Sequence, residues 1–306
     1  MKKVLVATVK PFAKAAIEGI GEILDNAGYE LVLLEKYADQ QELINAVDGM
    51  DALIVRSDIV DKDVIAAGKD LKIIVRAGAG YDNIDLDAAT AKDIVVMNTP
   101  GQNSNAVAEL ALGMMVYQAR NQFNGKPGTE LLEKKIGIHA FGNVGRHVAR
   151  IARGFGMNVA AFDPFIPDDV IEKEGVEVMK SVEDLYSTCQ YISLHIPSNE
   201  KTRKSINNDL LKLMPKGATL VNTARKEVID EDSLMKTFTE REDFSYVSDI
   251  APDNAEELKE KFGERCFFTP KKMGAQTAEA NINAGLAAAN QIIDFIEKGD
   301  TTFKVN

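Results

Sequence analysis

Short apolar, β-branched runs alternate along this chain with segments whose apolar residues recur every three or four positions. "VLVATV", "YELVLLE", "DALIV", "LKIIV" and "DIVVMN" are five strand-length runs ending by residue 98. Between the first two, "PFAKAAIEGIGEILDNAG" is apolar at helical spacing and closes on a glycine. Such alternation predicts βαβ units and a parallel sheet.

At Asn98 the pattern changes. "NTPGQNSN" is a turn-rich stretch, and "AVAELALGMMVYQAR" after it is a helix apolar around most of its circumference. A polar loop, "NQFNGKPGTE", leads into a second series. Its strands are expected in "KIGIHA", "NVAAFD", "QYISLHI", "ATLVN", "FSYVSDI" and "CFFTP". The closing helix, "QTAEANINAGLAAANQIIDFIEKGD", is long enough to leave one domain and cross to another. The prediction is α/β: two domains, each a doubly wound parallel sheet.

Composition narrows the partners. A length of 306 residues suits two domains, and 45% hydrophobic with 27% charged residues is an ordinary globular mixture. No apolar run approaches the roughly 18–20 residues of a membrane span. Lys10 interrupts the first run early, so the N-terminus reads as a strand and not a signal peptide. A net charge of −11 argues against nucleic acid or an anionic membrane as partner. Cys189 and Cys266 lack CxxC spacing and read as buried free thiols of a reducing, cytoplasmic compartment. His139, His147 and His195 are scattered, and no metal site is expected.

The strongest local signal is "HAFGNVGRHVARIARGFGMNVAAFDPF". A strand ends at His139-Ala140, a helix begins at Asn143-Val144, and between them lies A-x-G-x-x-G: Ala140, Gly142, Gly145. Gly142 lets the backbone approach a pyrophosphate, Gly145 lets helix and strand pack closely, and the helix N-terminus offers free N–H groups. A second strand ends in Asp163, 18 residues after Gly145, where a carboxylate accepts the ribose hydroxyls of NAD and repels the extra phosphate of NADP. The expected cofactor is NAD.

Four further stretches appear in order: "IVRAGAGYDNIDLDAATAKDIVVMNTPG" (74–101), "SLHIPSNEKTRKSINNDLLKLMPKGATLVNTARKEVIDEDSL" (193–234), "SYVSDIAP" (245–252) and "FFTPKKMGAQTAEANINAG" (267–285). Together with the glycine turn they resemble the signatures of the D-2-hydroxyacid dehydrogenases over nearly the whole chain. "LIVRS" (53–57) followed by "RAGAGYDNID" is most similar to the phosphoglycerate dehydrogenase branch. The resemblance implies a flavodoxin-like substrate domain, 1–99 and 283–306, with a Rossmann-type NAD domain, 100–282, inserted into it. It implies a homodimer through the nucleotide domain by way of the apolar helix. It also implies an anionic, phosphorylated 2-hydroxy acid as substrate and a place in serine biosynthesis. The chain stops at Asn306, so the regulatory domains of longer relatives, and serine feedback through them, are not expected.

The same resemblance distributes roles. Arg225, in "NTARKE", matches the arginine that binds the substrate carboxylate and C2 oxygen, although Lys226 stands where a glycine usually follows. The loop Ala77, Gly78, Ala79, Gly80 offers backbone N–H groups to the carboxylate. Arg56, Ser57, Arg76 and Asn103 match positions facing the substrate or its phosphate. Ala140, Gly142, Asn143, Val144, Gly145 and Asp163 hold the cofactor, joined by His195, Pro197, Thr202, Thr223, Ala224, Asp249 and Gly274. His195 is read as structural, and Asp249 as the acid that orients the nicotinamide carboxamide. Arg56, Arg76, Arg225, Lys271 and Lys272 are expected to converge on one cleft of an otherwise acidic protein.

One element of the family pattern is missing. A histidine is expected in "TPHxG", backed by a glutamate shortly after Asp249. The histidine position falls on Lys271 when aligned from Thr269-Pro270 and on Lys272 when aligned from Gly274 to Glu279. The glutamate position falls at Asp253-Asn254, best on Asn254. Two readings follow: a catalytically inactive NAD-sensing regulator, or an enzyme whose proton-transfer group is a lysine, with Lys272 preferred. A free lysine keeps its proton to about pH 10.4, so as a base it needs surroundings that favour the neutral amine. A neighbouring carboxylate would oppose this, and Asn in its place removes the obstacle. The sequence favours the lysine enzyme.

Overall fold

A computed structural model describes residues 1–306, which divide into two units: Met1–Asn103 with Gln276–Asn306, and Ser104–Ala275.

Unit 1 holds a five-stranded sheet of β1 (Lys3–Thr8), β2 (Glu30–Glu35), β3 (Ala52–Val55), β4 (Ile73–Arg76) and β5 (Val95–Asn98). Its order is β2-β1-β3-β4-β5 and every pairing is parallel, the flavodoxin-like arrangement. Alternation along each strand feeds two cores. Val4 and Val6 face the helices Lys14–Asn26 and Ala278–Lys298, while Leu5 and Ala7 face Leu43, Val64 and Ala89 of the shorter helices. Both faces of β1, β3, β4 and β5 are covered, so these strands read as unbroken apolar runs, while the edge strand β2 keeps Leu33 exposed. The last residues shield the β5 edge: Val305 N–H donates to the Val96 carbonyl at 2.9 Å, and the Asn306 side chain accepts from Val96 N–H at 2.8 Å.

Unit 2 holds seven strands: β6 (Lys135–His139), β7 (Asn158–Phe162), β8 (Glu177–Val178), β9 (Tyr191–Leu194), β10 (Thr219–Asn222), β11 (Ser245–Ser248) and β12 (Cys266–Phe268). They lie in the order β12-β11-β10-β9-β6-β7-β8, all parallel. Read from β6 outwards this is the Rossmann progression, with the reversal between β6 and β9. The helix Ser104–Ala119 is hydrophobic on most sides, and Ala108, Ala111, Leu112, Met114 and Met115 are buried within the unit.

All eleven strand runs of the sequence become strands. The twelfth, β8, was not foreseen, because two edge residues carry no periodicity and are strand only by pairing with β7, Ala160 with Glu177 and Ala161 with Val178. The long closing helix does not cross between domains: it starts at Ala278, and Ala284, Ala288 and Ile292 complete the core of unit 1. The unit boundaries accordingly fall at Asn103/Ser104 and Ala275/Gln276, against the expected 99/100 and 282/283. Cys189 and Cys266 are buried and unpaired.

Candidate active site

Parallel strands all end at one edge of a sheet, so the loops after them form a row. In unit 2 that row reads Asp163 after β7, Ala140–Gly145 after β6, His195–Pro197 after β9, Thr223–Arg225 after β10, Asp249 after β11 and Thr269–Gly274 after β12. Most of the expected cofactor residues and all three unit 2 catalytic candidates stand on this edge, about 4.8 Å apart per strand.

The glycine turn is built from backbone. Ala140 takes φ +81°, and Gly142 begins the helix Asn143–Gly154 with no side-chain cap. Open space lies over Gly142, whereas a Cβ on Gly145 would meet the Ala140 carbonyl at 2.3 Å and Ile138 at 3.0 Å. The first N–H groups of the helix therefore face a shallow cradle, which fits a dinucleotide pyrophosphate. Asp163 accepts from Phe141 N–H at 2.8 Å and Phe165 N–H at 2.9 Å. One bond on each oxygen leaves lone pairs for ribose hydroxyls.

Two histidines lie beside this turn. His139 shares a 3.3 Å contact with the Tyr186 hydroxyl, and His195 shares hydrogen bonds with Ser193 at 2.9 Å and Thr223 at 3.5 Å. Burial pushes the His139 pKa down to about 4, opposed weakly by Asp163, and burial with His139 as neighbour pushes His195 down to about 3. Both are neutral at physiological pH and hydrogen-bonded to neighbours, in keeping with a structural reading of His195. Thr202 secures the next loop by accepting from Asn199 N–H at 2.9 Å and donating to the Pro197 carbonyl.

Arg225 is set by a residue that the sequence did not single out. Asn222, fully buried, accepts from Ala224 N–H at 2.9 Å and donates to the Arg225 carbonyl at 3.0 Å and the Tyr246 hydroxyl at 3.2 Å. The loop carrying Arg225 is thus pinned on both sides, and the guanidinium is half-buried. The signal was present, since an Asn at the end of a buried strand requires partners, but the partners lie far apart in sequence.

The lysine loop is held by Asp249, which is 0% exposed. One carboxylate oxygen accepts from the Thr269 hydroxyl at 3.0 Å and Met273 N–H at 2.7 Å, the other from Gly274 N–H at 2.8 Å. The Thr269 hydroxyl also approaches the Lys271 carbonyl at 2.8 Å. The backbone around Lys271 and Lys272 is therefore fixed while both side chains are exposed. No free carboxylate occupies the place of the missing glutamate. Asp253 pairs with Lys226, and Asn254 is uncharged, its buried Oδ1 without a partner.

In unit 1, Arg56 and Arg76 are brought together: Arg76 Nε donates to the Arg56 carbonyl at 2.9 Å. Gly78, at φ +150°, makes room for Arg76, whose guanidinium lies 1.6 Å from where a Cβ would sit. The carboxylate loop is only half available. Ala77 N–H already donates to Val55 and Gly78 N–H to Arg76, each at 2.8 Å, while the N–H groups of Ala79 and Gly80 make no bond within the chain. Asn98 steadies this loop through the Ala79 carbonyl at 2.6 Å. Ser57 is exposed, and Asn103 is half-buried at the end of the first segment of the unit.

Residues 103–270 match the family model described as "D-isomer specific 2-hydroxyacid dehydrogenase, NAD binding domain". The chain belongs to the D-isomer-specific 2-hydroxyacid dehydrogenases. It is similar to the NAD+-bound 3-phosphoglycerate dehydrogenase of Entamoeba histolytica, at 48% identity and a TM-score of 0.86, covering 100% of this chain and 98% of that one. It is 38% identical over 272 residues to D-3-phosphoglycerate dehydrogenase of Methanocaldococcus jannaschii, 83% of this chain and 51% of that protein. It is 35% identical over 280 residues to hydroxypyruvate reductase of Thermotoga maritima, 86% of this chain and 90% of that protein. The chain spans about half the length of several curated relatives that it matches. Unit 2 is the family's NAD-binding domain. No helix of the chain is long and apolar enough to cross a membrane.

Proposed function

We propose that this protein oxidises D-3-phosphoglycerate to 3-phosphohydroxypyruvate with NAD, with a lysine of the Thr269–Gly274 loop as acid/base. The observation that carries the substrate class is the 48% identity, over the full length of this chain, to an enzyme named for 3-phosphoglycerate.

When bound, NAD accepts the hydride leaving C2. Arg225 binds the substrate carboxylate and polarises the C2 oxygen, and the Asn222 bonds to its loop keep that guanidinium from drifting. The free N–H groups of Ala79 and Gly80 are donors that unit 1 has available for an anion. The amine of Lys272, with Lys271 as the other candidate, takes the proton of the C2 hydroxyl and returns it in the reductive direction. At the position expected for the glutamate, Asp253 is paired with Lys226 and Asn254 adds no charge. The reading carries with it a cytoplasmic enzyme at the entry to serine biosynthesis and a homodimer through unit 2. The exposed apolar side chains Phe123, Leu132 and Phe155 of that unit are in keeping with the dimer, which light scattering would register at twice the chain mass.

The likeness to a hydroxypyruvate reductase along 90% of its length favours a second reading, an unphosphorylated three-carbon acid as substrate. Initial rates with NAD and D-3-phosphoglycerate, D-glycerate and D-lactate separate the two. A kcat/KM highest for 3-phosphoglycerate is the expected result, and a preference for glycerate favours the second reading. Tight NAD binding with no turnover of any acid leaves only an NAD-sensing regulator.

A further inference from the structure

In the unit 1 sheet the chain progression reverses between β1 and β3, and an open α/β sheet binds ligands outside the carboxyl ends of the strands at such a point. Two segments border that crevice, Val9–Pro11 after β1 and Arg56–Asp58 after β3. Their backbones are tightly held. The Lys10 carbonyl accepts from the Thr8 hydroxyl at 2.7 Å and from Arg56 Nη1 at 3.0 Å, and Nη1 also reaches the Pro11 carbonyl at 3.2 Å. Val9 N–H donates to buried Asp58 at 2.7 Å, and the same carboxylate accepts from the Tyr37 hydroxyl at 2.8 Å and Arg56 N–H at 3.3 Å.

These bonds divide the two cations of the crevice. Arg56 has Nη1 committed to two carbonyls and Nη2 to Asn281, lies 5.1 Å over the Phe12 ring, and is half-buried. Few of its five N–H groups remain for a ligand. Lys10 is the opposite case. Its carbonyl is held by two bonds and the preceding Val9 N–H by a third, while its side chain is exposed and makes no ion pair. In a chain of net charge −11, a rigidly mounted, unpaired ammonium at the ligand-binding end of a sheet attracts an anion.

We propose that Lys10 is a specificity-determining residue, meeting the distal phosphate of the substrate, while Arg56 chiefly positions the Lys10 backbone. This rests on the dehydrogenase reading above. The test measures NADH oxidation with 3-phosphohydroxypyruvate and with hydroxypyruvate, for the wild type, Lys10→Met and Lys10→Arg. The expected outcome is a tenfold or larger fall in the ratio of kcat/KM for phosphorylated over unphosphorylated acid in Lys10→Met. The fall is carried by KM for the phosphorylated acid and largely restored in Lys10→Arg. A wild-type preference for 3-phosphohydroxypyruvate that survives Lys10→Met overturns the role of Lys10 and leaves the enzyme reading standing. Equal losses for both acids overturn it as well. A wild type that reduces neither acid overturns the dehydrogenase reading, and a wild type that prefers hydroxypyruvate overturns the phosphate assignment; either removes this role for Lys10.

Discussion

The glycine turn after β6 and the lysine loop after β12 stand on the same edge of one sheet, yet they are built differently. The turn is backbone: Gly142 leaves open space, Gly145 excludes even a Cβ, and the first N–H groups of the helix face the space left open. All its parts lie within the few residues from Ala140 to Gly145, so it is written in the sequence as a motif. The lysine loop is held by side-chain bonds across 20 to 25 residues, from Thr269, Met273 and Gly274 to Asp249. A site held by its own backbone tolerates little change of residue type. A site held from elsewhere can exchange an exposed side chain without altering the scaffold, and the proposed lysine acid/base would be such an exchange.

Damage to the two regions should therefore separate kinetically. The largest effect is expected for Lys272→Ala. Loss of a general acid/base lowers kcat by about 10²–10⁴-fold, with NAD affinity by fluorescence titration little changed. If Lys271→Ala shows that collapse and Lys272→Ala does not, the role moves by one residue. Next, Asp249→Asn removes an acceptor from the loop. An unmatched buried N–H costs about 1–3 kcal/mol, so kcat should drop by about ten- to a hundredfold, more than NAD affinity does. A variant that loses NAD binding and keeps kcat at saturation would show that Asp249 serves the cofactor alone.

Gly145→Ala attacks the other region. Its Cβ would press on the Ala140 carbonyl, and overpacking of this kind costs about 1–3 kcal/mol. Isothermal titration should show a weaker Kd for NAD, with kcat at saturating NAD the less affected quantity. An unchanged Kd would mean that the turn has slack which the geometry denies.

The smallest expected effect is that of mild acid. His139 and His195 are kept neutral in the fold, with pKa values near about 4 and about 3 against 6.5 for an ordinary histidine. The unfolded chain therefore takes up protons first as pH falls, and stability contributed by the neutral pair is complete above about pH 6.5 and lost on the way down to pH 3–4. Between pH 7 and 5.5 each histidine removes at most about 1.4 kcal/mol. Urea titrations at those two pH values should show the loss, reduced in His195→Asn. Because both histidines stay neutral in the folded protein over this range, NAD affinity should hold between pH 7 and 5.5 while stability falls.

Several parts of this arrangement could be read before any coordinates. Strands buried on both faces wrote themselves as apolar runs, and helices closed on their caps, because local burial periodicity is a property of neighbouring residues. What the runs did not contain was β8, whose two residues are strand only through pairing with β7. The same limit hid Asn222 behind Arg225 and the committed state of Arg56, since their partners lie in other loops. The order of residues alone was enough for two parallel-sheet units and a glycine turn of an NAD-binding domain. Folding in three dimensions was needed for the rest: Asp249 anchors the lysine loop, Ala79 and Gly80 keep their N–H groups free where Ala77 and Gly78 do not, and Lys10 stands unpaired at the end of β1. The reason is physical: hydrogen bonds between distant segments depend on where the folded chain returns, and no spacing along the chain encodes that return.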